Sequence, residues 1–188
     1  MLAYVFWHAP TAGADTGAYE QRLGAFHAAL RADPSPGLGA TAVLGLGSVP
    51  WLGGAQGYED WYLVDGFPAL GALNEAAVAG ARRAPHDAAA AWAGAGVAGV
   101  MGHVAGARLP ARPGWAAWLA KPVGMPYGEA HAQLSAALDG AGAAGWQRQM
   151  TLGPATEYCV LAAAPLPLPL PWPAVHAWPV RTVVAAAG

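Results

Sequence analysis

The chain has 188 residues, of which 55% are hydrophobic and 11% are charged, and its formal net charge is −2. Its basic residues are scattered, which excludes the clustered positive face that nucleic-acid binding requires. One cysteine, Cys159, excludes an internal disulfide and a multi-cysteine metal site. Because the sequence shows neither a signal-peptide pattern nor a membrane-spanning apolar stretch, it predicts a soluble, cytoplasmic protein without nucleic-acid or membrane partners.

The first half of the chain predicts the order strand, helix, strand, strand, helix, strand. Runs of β-branched and aromatic residues mark the strands, and apolar residues spaced three, four and seven apart mark the helices. The segment 33–37 ends the first helix, since its prolines lack the amide hydrogen that a helix uses. The predicted strands are 2–7, 38–46, 58–64 and 97–104. The first helix is predicted to be capped by Asp15 or Thr16, and the second to start at Asp65, to be interrupted at 82–85 and to continue as a short piece at 86–93.

The same order restarts after a linker at 105–114. The predicted strands of this second half are 115–120, 146–152, 156–162 and 180–185, and its predicted helix is 127–138. Where a second helix would stand, proline occupies every second position from 165 to 173, which favours an extended conformation. We expect this segment to pack on the surface through its alternating leucines. A ligand for a proline-recognition module is the alternative.

A repeat relates the two halves. Tyr19, Phe26 and Leu30 recur 108 positions later as Tyr127, Leu134 and Leu138. In the strand that follows, Trp61 matches Tyr158 at an offset of 97, because the second hairpin loop is shorter. The repeat predicts a tandem duplication, with residues 1–106 and 107–188 as two units of one globular body and the second unit truncated.

This element order resembles the dimeric α/β-barrel superfamily, whose members place two ferredoxin-like βαββαβ units face to face. The resemblance implies an α+β fold in which the two repeats form a pseudo-dimeric α/β barrel within one chain. Members of this superfamily include cofactor-free monooxygenases, lactone isomerases, polyketide cyclases and haem-dependent enzymes. Their usual ligand site is the cleft between sheet and helices or the barrel interior.

The repeat also predicts which strand residues face the helices. Side chains alternate along a strand, and the two copies must agree on the helix side. The shared aliphatic and aromatic pattern therefore puts Trp61 and Leu63, with their mates Tyr158 and Val160, under the helices. The opposite set is predicted to face the barrel interior: Thr41, Asp60, Tyr62, Met101, His103, Gln147, Gln149, Thr151, Glu157 and Cys159.

Three members of the inward set are candidate catalytic groups. Asp60 and Glu157 are predicted to be symmetry mates, and His103 lies on the same predicted surface. Burying such groups unpaired costs several kcal/mol, so they need compensation. A hydrogen-bonded network or a hydrated interior provides one explanation, and an acid/base site whose ligand is oriented by Tyr62 provides the other.

Further candidates lie outside this set. His8 ends the first strand and His86 begins a helical piece, and similar barrels carry histidines near both places; His86 is alternatively a helix cap. Lys121 is either a contact for an anionic substrate or a solvated lysine. Trp7 and Trp118 either line an apolar pocket or fill the core. The remaining helix histidines, His27 and His131, are expected to be exposed.

The sequence contains no P-loop, no Gly-x-Ser-x-Gly elbow and no HExxH pattern. It predicts a barrel that binds a small, partly apolar molecule, acting without an organic cofactor or metal. Whether it is an enzyme with isomerase, cyclase or monooxygenase-like acid/base chemistry stays open, as does the choice between monomer and homodimer. A noncatalytic structural or interaction protein is the main alternative, and a haem-binding barrel ranks below it.

Overall fold

A computed structural model describes residues 1–150, 152–172 and 174–187. Within these ranges the chain forms a mixed α+β structure with four α-helices and one nine-stranded antiparallel sheet. The strands are β1 Leu2–Pro10, β2 Leu38–Ser48, β3 Gln56–Val64, β4 Ala93–Gly106, β5 Trp115–Leu119, β6 Ala144–Arg148, β7 Tyr158–Ala162, β8 Ala174–Pro179 and β9 Arg181–Ala187. The helices are α1 Thr16–Ala32, α2 Phe67–Ala77, α3 Gly80–Ala90 and α4 Tyr127–Leu138, and a 3-10 turn covers Pro50–Leu52.

The predicted α+β class is confirmed, with differences at three elements. Helix α3 begins at Gly80 and continues through Pro85, where an interruption was expected. Strand β6 ends at Arg148 instead of running on to 152. Strand β8 was not predicted, since the prolines before it hide its short alternating pattern.

The sheet is not closed into a barrel. Its strand order is β8-β5-β7-β6-β4-β1-β3-β2-β9, so β8 and β9 form its two edges. These edge strands are consecutive in the chain and are separated only by Val180, yet one pairs with β5 and the other with β2. In the described part of the chain, the two edges are joined by the backbone rather than by a hydrogen-bonded ladder.

One face of the sheet, which we call the inner face, buries the largest apolar cluster. Trp7 and Trp61 of the first half meet Trp118 and Trp146 of the second half there. The other face packs against the helices. In the first half Tyr62 and Val64 contact α1 and α2, and in the second half Tyr158 and Val160 contact α4.

The predicted faces of β3 are therefore wrong. Trp61 and Leu63 lie on the inner face, whereas Asp60 and Tyr62 face the helices. The helix-facing residues have even numbers both in β3 and in β7, so an alignment of the two strands that matches their faces has an even offset. Side chains alternate along a strand with a period of two, so the odd offset of 97 aligns the inner-face residues of β3 with the helix-facing residues of β7. The faces predicted for β3 were reversed for this reason.

The same exchange affects β2 and β6. Gln147 of β6 was predicted to face inward, but its Oε1 atom lies 3.0 Å from Nε2 of His131 on α4, whereas Trp146 lies on the inner face. Thr41 lies on the helix side, where its hydroxyl accepts a hydrogen bond from Arg31 Nε at 3.1 Å. On β4 and β7, by contrast, Met101 and Cys159 lie on the inner face as predicted. Thr151 lies outside the described residues.

The proline-rich strap, which we define as residues 165–172, covers α4. Its leucines are half-buried against the α4 cluster. The buried Trp172 donates a hydrogen bond from Nε1 to Gln133 Oε1 at 2.8 Å. The strap therefore takes the place that α2 and α3 occupy in the first half; Pro173, also predicted to belong to it, lies outside the described residues. None of the helices in the described ranges has the length and hydropathy needed to cross a membrane.

Candidate functional site

A cavity of about 670 Å³ lies between the helix-facing side of β1 and β3 and the helices α1, α2 and α3. Several positions around it have side chains too small to fill the space between helices and sheet. These positions are Gly71, Ala77, Ala89, Ala90 and Ala93. The larger apolar groups on its wall include Phe6, Leu23, Phe26, Leu70 and Leu73. Small residues on α2 and α3 thus leave a mainly apolar space above the sheet that is open to solvent on one side.

A buried imidazole connects two elements at the wall of this cavity. His8 of β1 lies with its Nε2 atom 3.1 Å from Asp60 Oδ1 on β3, and its Nδ1 atom is 2.7 Å from the hydroxyl oxygen of Tyr19 on α1. An ionised Asp60 can only accept, so His8 Nε2 carries the hydrogen. In the neutral imidazole Nδ1 accepts the hydroxyl hydrogen of Tyr19, whereas in the imidazolium Nδ1 donates to the Tyr19 oxygen. All three residues are buried and all three line the cavity.

The second oxygen of the Asp60 carboxylate meets two more groups. The hydroxyl group of Tyr62 donates to Oδ2 at 3.0 Å, and His27 Nε2 lies 3.5 Å from the same oxygen. The His27 ring stacks on the Tyr62 ring, with centroids 5.1 Å apart and an interplanar angle of 23°. One carboxylate is therefore surrounded by two imidazoles and a tyrosine hydroxyl; we call Tyr19, His8, Asp60, Tyr62 and His27 the polar cluster.

The cluster holds its carboxyl group ionised. Burial acts to raise the pKa of Asp60, but the charge of His8 and the contacts from His27 and His8 outweigh it, so this pKa lies well below its usual range. Burial, followed by the charge of Asp60, raises the pKa of both Tyr19 and Tyr62. The tyrosines therefore stay protonated and act as hydrogen-bond donors. The chain Tyr19–His8–Asp60 can accept a proton at Tyr19 while Tyr19 passes its own proton to His8.

Four of the sequence-predicted site residues line the cavity: Asp60, Tyr62, His8 and His86. His86 lies on α3 at the mouth, where its Nδ1 atom is 2.9 Å from Asp87 Oδ1 and its ring meets the edge of Phe26. It lies inside α3 rather than at the helix start, so the alternative of a helix cap is wrong.

The structure does not bring His103 or Glu157 to Asp60. His103 lies on β4, with Nε2 2.8 Å from the carbonyl oxygen of Ala107 and its ring against Trp146. Glu157 belongs to the second half, where its hydrogen bond with Tyr127 raises the pKa of that tyrosine. Asp60 faces the helices of the first half, so the three candidate catalytic groups lie apart.

Trp7, Trp118 and Lys121 also lie away from the cavity. The two tryptophans are buried on the inner face, with ring centroids 5.6 Å apart, so their alternative role as core residues is the observed one. Lys121 donates from Nζ to the carbonyl oxygen of Met125 at 2.6 Å, and its ammonium lies over the Tyr127 ring. The ammonium thus helps to hold its own loop.

Sequence reasoning missed two members of the polar cluster. His27 was expected to be exposed, but it is fully buried. The spacing contained the signal, since Tyr19, Leu23 and His27 follow one another at intervals of four and so share one helix face. Tyr19 was read only as a structural repeat residue, because a tyrosine on an apolar stripe carries no sign of its hydrogen-bond partner.

A second buried carboxyl group lies on the inner face. Glu59 accepts a hydrogen bond from Trp7 Nε1 at 3.0 Å and is fully buried. Burial raises the pKa of Glu59 to about 7, and the indole groups of Trp61 and Trp7 offset that rise only in part. Neighbouring residues of β3 thus carry one carboxyl group to each face of the sheet.

Among the described residues, no group of three or more His, Cys, Asp or Glu side chains is arranged to hold a metal ion. Comparison of the chain with protein-family models, curated proteins and solved structures gave no significant match. The proposal for function therefore depends on the geometry of the cavity and of the polar cluster.

Proposed function

We propose that the cavity between β1, β3 and helices α1 to α3 binds a small, partly apolar molecule and that His8 exchanges a proton with it. The observation that supports this proposal is the buried His8–Asp60 pair, which lines a cavity with otherwise mainly apolar walls. A volume of about 670 Å³ is within the range of about 300–1,000 Å³ typical of small-molecule sites. Apolar walls with a few convergent polar groups are the usual composition of such sites.

The proposed chemistry needs only proton transfer. A proton leaving the ligand forms a bond with the hydroxyl oxygen of Tyr19, while the hydroxyl hydrogen of Tyr19 moves to His8 Nδ1. His8 then becomes an imidazolium whose charge is balanced by Asp60. Isomerisation and cyclisation reactions can proceed by such steps, and the reverse transfer returns the proton to the product. The cluster thus suits a cofactor-independent enzyme.

We further propose that the fold is a tandem duplication of a ferredoxin-like unit, with repeats at 1–106 and 107–188. The strand orders β4-β1-β3-β2 and β8-β5-β7-β6 have the same relative arrangement and support this proposal. The cavity then lies in the cleft between sheet and helices of the first unit, which is one of the two usual ligand sites of the superfamily that the sequence resembles.

Binding can be tested with N-phenyl-1-naphthylamine, an uncharged probe whose fluorescence increases in apolar sites. Gly71→Leu should weaken binding by tenfold or more, because the new side chain extends from α2 into the cavity. A Cβ atom at Gly71 meets nothing within 4 Å, so the variant should fold. Gly128→Leu is the matched control, since Gly128 lies on α4 with the same free space and no contact with the cavity. Equal affinities in all three proteins would rule out this cavity as the binding site.

Proton transfer can be tested with 7-hydroxycoumarin, because its phenol and phenolate forms absorb at different wavelengths. We expect the wild-type protein to increase the phenolate fraction of the bound probe at a pH where the free probe is mostly phenol. His8→Gln and Asp60→Asn should abolish this increase while N-phenyl-1-naphthylamine still binds. If the His8→Gln protein produces the same spectrum as the wild type, His8 is not the proton acceptor.

A further inference from the structure

We infer that the ligand of this cavity is an uncharged ring compound that carries a hydroxyl or N–H hydrogen-bond donor. This inference rests on the proposed binding function and specifies its ligand class. It follows from three properties of the cavity: the charges on its wall, the hydrogen bonds already formed within the polar cluster, and the shape of its apolar groups.

The charges disfavour an anionic ligand. No lysine or arginine is among the described residues that line the cavity. A carboxylate or phosphate entering it would lose its hydration without gaining a cationic partner, and an unpaired buried charge is costly. It would also approach the ionised carboxylate of Asp60. An uncharged ligand avoids both costs.

A cationic ligand is disfavoured because the Asp60 carboxylate is already occupied. Its Oδ1 atom accepts from His8 Nε2, and its Oδ2 atom accepts from Tyr62 and faces His27 at 3.5 Å. An ammonium group would have to displace one of these buried donors, which would then lack an acceptor.

Hydrogen counting shows what the ligand must contribute at this end of the cavity. With His8 neutral, as the proposed proton transfer requires, the hydroxyl hydrogen of Tyr62 and the Nε2 hydrogen of His8 are used on Asp60, and the hydroxyl hydrogen of Tyr19 is used on His8. His27 has no hydrogen-bond partner among the described residues, but it does not line the cavity. The cluster members that line the cavity therefore offer the lone pairs on the hydroxyl oxygens of Tyr19 and Tyr62. A ligand that binds there therefore has to supply a hydrogen.

The walls next to the cluster are flat. The Phe6 ring stacks on the His8 ring, with centroids 5.1 Å apart and an interplanar angle of 23°. The centroid of the Tyr4 ring lies 6.0 Å from that of the Tyr62 ring, and the Phe26 and His86 rings form a T-shaped contact at 72°. Aromatic walls in offset or edge-to-face orientation contact planar rings over a large area. A planar ring carrying one donor group matches this arrangement.

Three probes that share one ring system test the inference: 2-naphthol, 2-methoxynaphthalene and 2-naphthoate, with affinities measured by isothermal titration calorimetry at pH 7. We expect 2-naphthol to bind about tenfold more tightly than 2-methoxynaphthalene, since one buried hydrogen bond of about 1.4 kcal/mol gives that ratio. The naphthoate should bind more weakly than 2-naphthol by at least the same factor.

Tyr19→Phe should reduce the preference for 2-naphthol over 2-methoxynaphthalene, because it deletes one of the two accepting oxygens and keeps the ring. Tyr127→Phe is the control, since Tyr127 is the repeat mate of Tyr19 on α4 and does not line the cavity. Equal or tighter binding of 2-methoxynaphthalene by the wild type would assign recognition to a donor such as the Tyr4 hydroxyl and overturn the ligand class, while leaving the binding function intact. Tighter binding of the naphthoate would do the same, and binding of none of the three would overturn both proposals.

Discussion

The antiparallel strand pairs β1–β3 and β5–β7, which we call the first and the second strand pair, have matching registers but different chemistry. Trp7 of β1 pairs with Glu59 of β3, and Trp118 of β5 pairs with Cys159 of β7. When the two strand pairs are compared through these residues, the inner face carries a hydrogen-bonded indole and carboxyl group in the first and an indole beside a thiol in the second. The first strand pair therefore has a group that titrates near neutral pH where the second has a buried thiol.

The same comparison on the helix-facing side gives a larger contrast. His8 corresponds to Leu119 and Asp60 corresponds to Val160, so the polar pair of the first strand pair is replaced by two aliphatic residues in the second. The covering layers differ accordingly. Helices α2 and α3 leave a cavity over the polar residues, whereas the leucines of the proline-rich strap pack against the cluster that contains the aliphatic residues. Buried polar residues thus coincide with open space, which is expected for a ligand site but not for a simple core.

The largest expected effect comes from removing a buried side chain in the second half, where the proline-rich strap fills the space above the sheet. Trp172→Ala should lower the free energy of unfolding by about 3–5 kcal/mol, because the buried indole leaves a void that the stiff strap cannot close. Phe67→Ala at the mouth of the cavity should cost about 1 kcal/mol or less, since Phe67 is 55% exposed. Urea unfolding measures both. Equal losses would mean that the two halves are filled to the same extent.

The next effect concerns the inner face. The pKa of Glu59 is raised from 4.5 to about 7 in the folded protein, so the folded state holds a proton that the unfolded state releases in this range. Its contribution to stability is therefore present at low pH and is lost as the pH rises through about 7. Glu59→Gln removes this pH-dependent loss of stability, because a glutamine side chain does not titrate. Relative to wild type, the variant should become more stable between pH 4.5 and 8, by up to about 3 kcal/mol.

Cys159→Ala provides the matched control in the second strand pair. Burial raises the pKa of the Cys159 thiol well above its usual range, so this group does not titrate between pH 4.5 and 8. The alanine variant should keep the pH dependence of the wild type, although its stability is lower at every pH. If the stability difference between Glu59→Gln and wild type were constant with pH, Glu59 would not be the titrating group.

The sequence predicts the element order well because hydrophobic periodicity is local. Helix α4 spans Tyr127–Leu138 as predicted, and its stripe of leucines is buried. The faces of β3 could not be obtained in the same way, since they depend on a repeat offset whose parity is lost when loop lengths differ. An even offset results when Trp7 is aligned with Trp118, and that alignment comes from the strand pairings, which the sequence alone does not contain.

The candidate site was predictable in part. His8, Asp60 and Tyr62 were singled out from residue type and strand position, but their convergence with Tyr19 depends on how α1 docks on the sheet. The cavity was not predictable, because its volume is the space left between small residues of α2 and α3 and the strands below. Local sequence patterns do not determine the distance between the helices and the sheet.

The smallest expected effect compares two tyrosine hydroxyls. Tyr62→Phe removes a buried donor to the Asp60 carboxylate and should lower the free energy of unfolding by about 1–3 kcal/mol. Tyr158 on the helix-facing side of the second strand pair is equally buried, but its hydroxyl has no hydrogen-bond partner among the described residues. Tyr158→Phe should therefore leave stability unchanged or raise it by about 1 kcal/mol, since it removes the desolvation cost of an unbonded hydroxyl and leaves no partner behind. Urea unfolding of both variants at pH 7 measures the difference, and a loss for Tyr158→Phe would show that the second strand pair also contains a polar network.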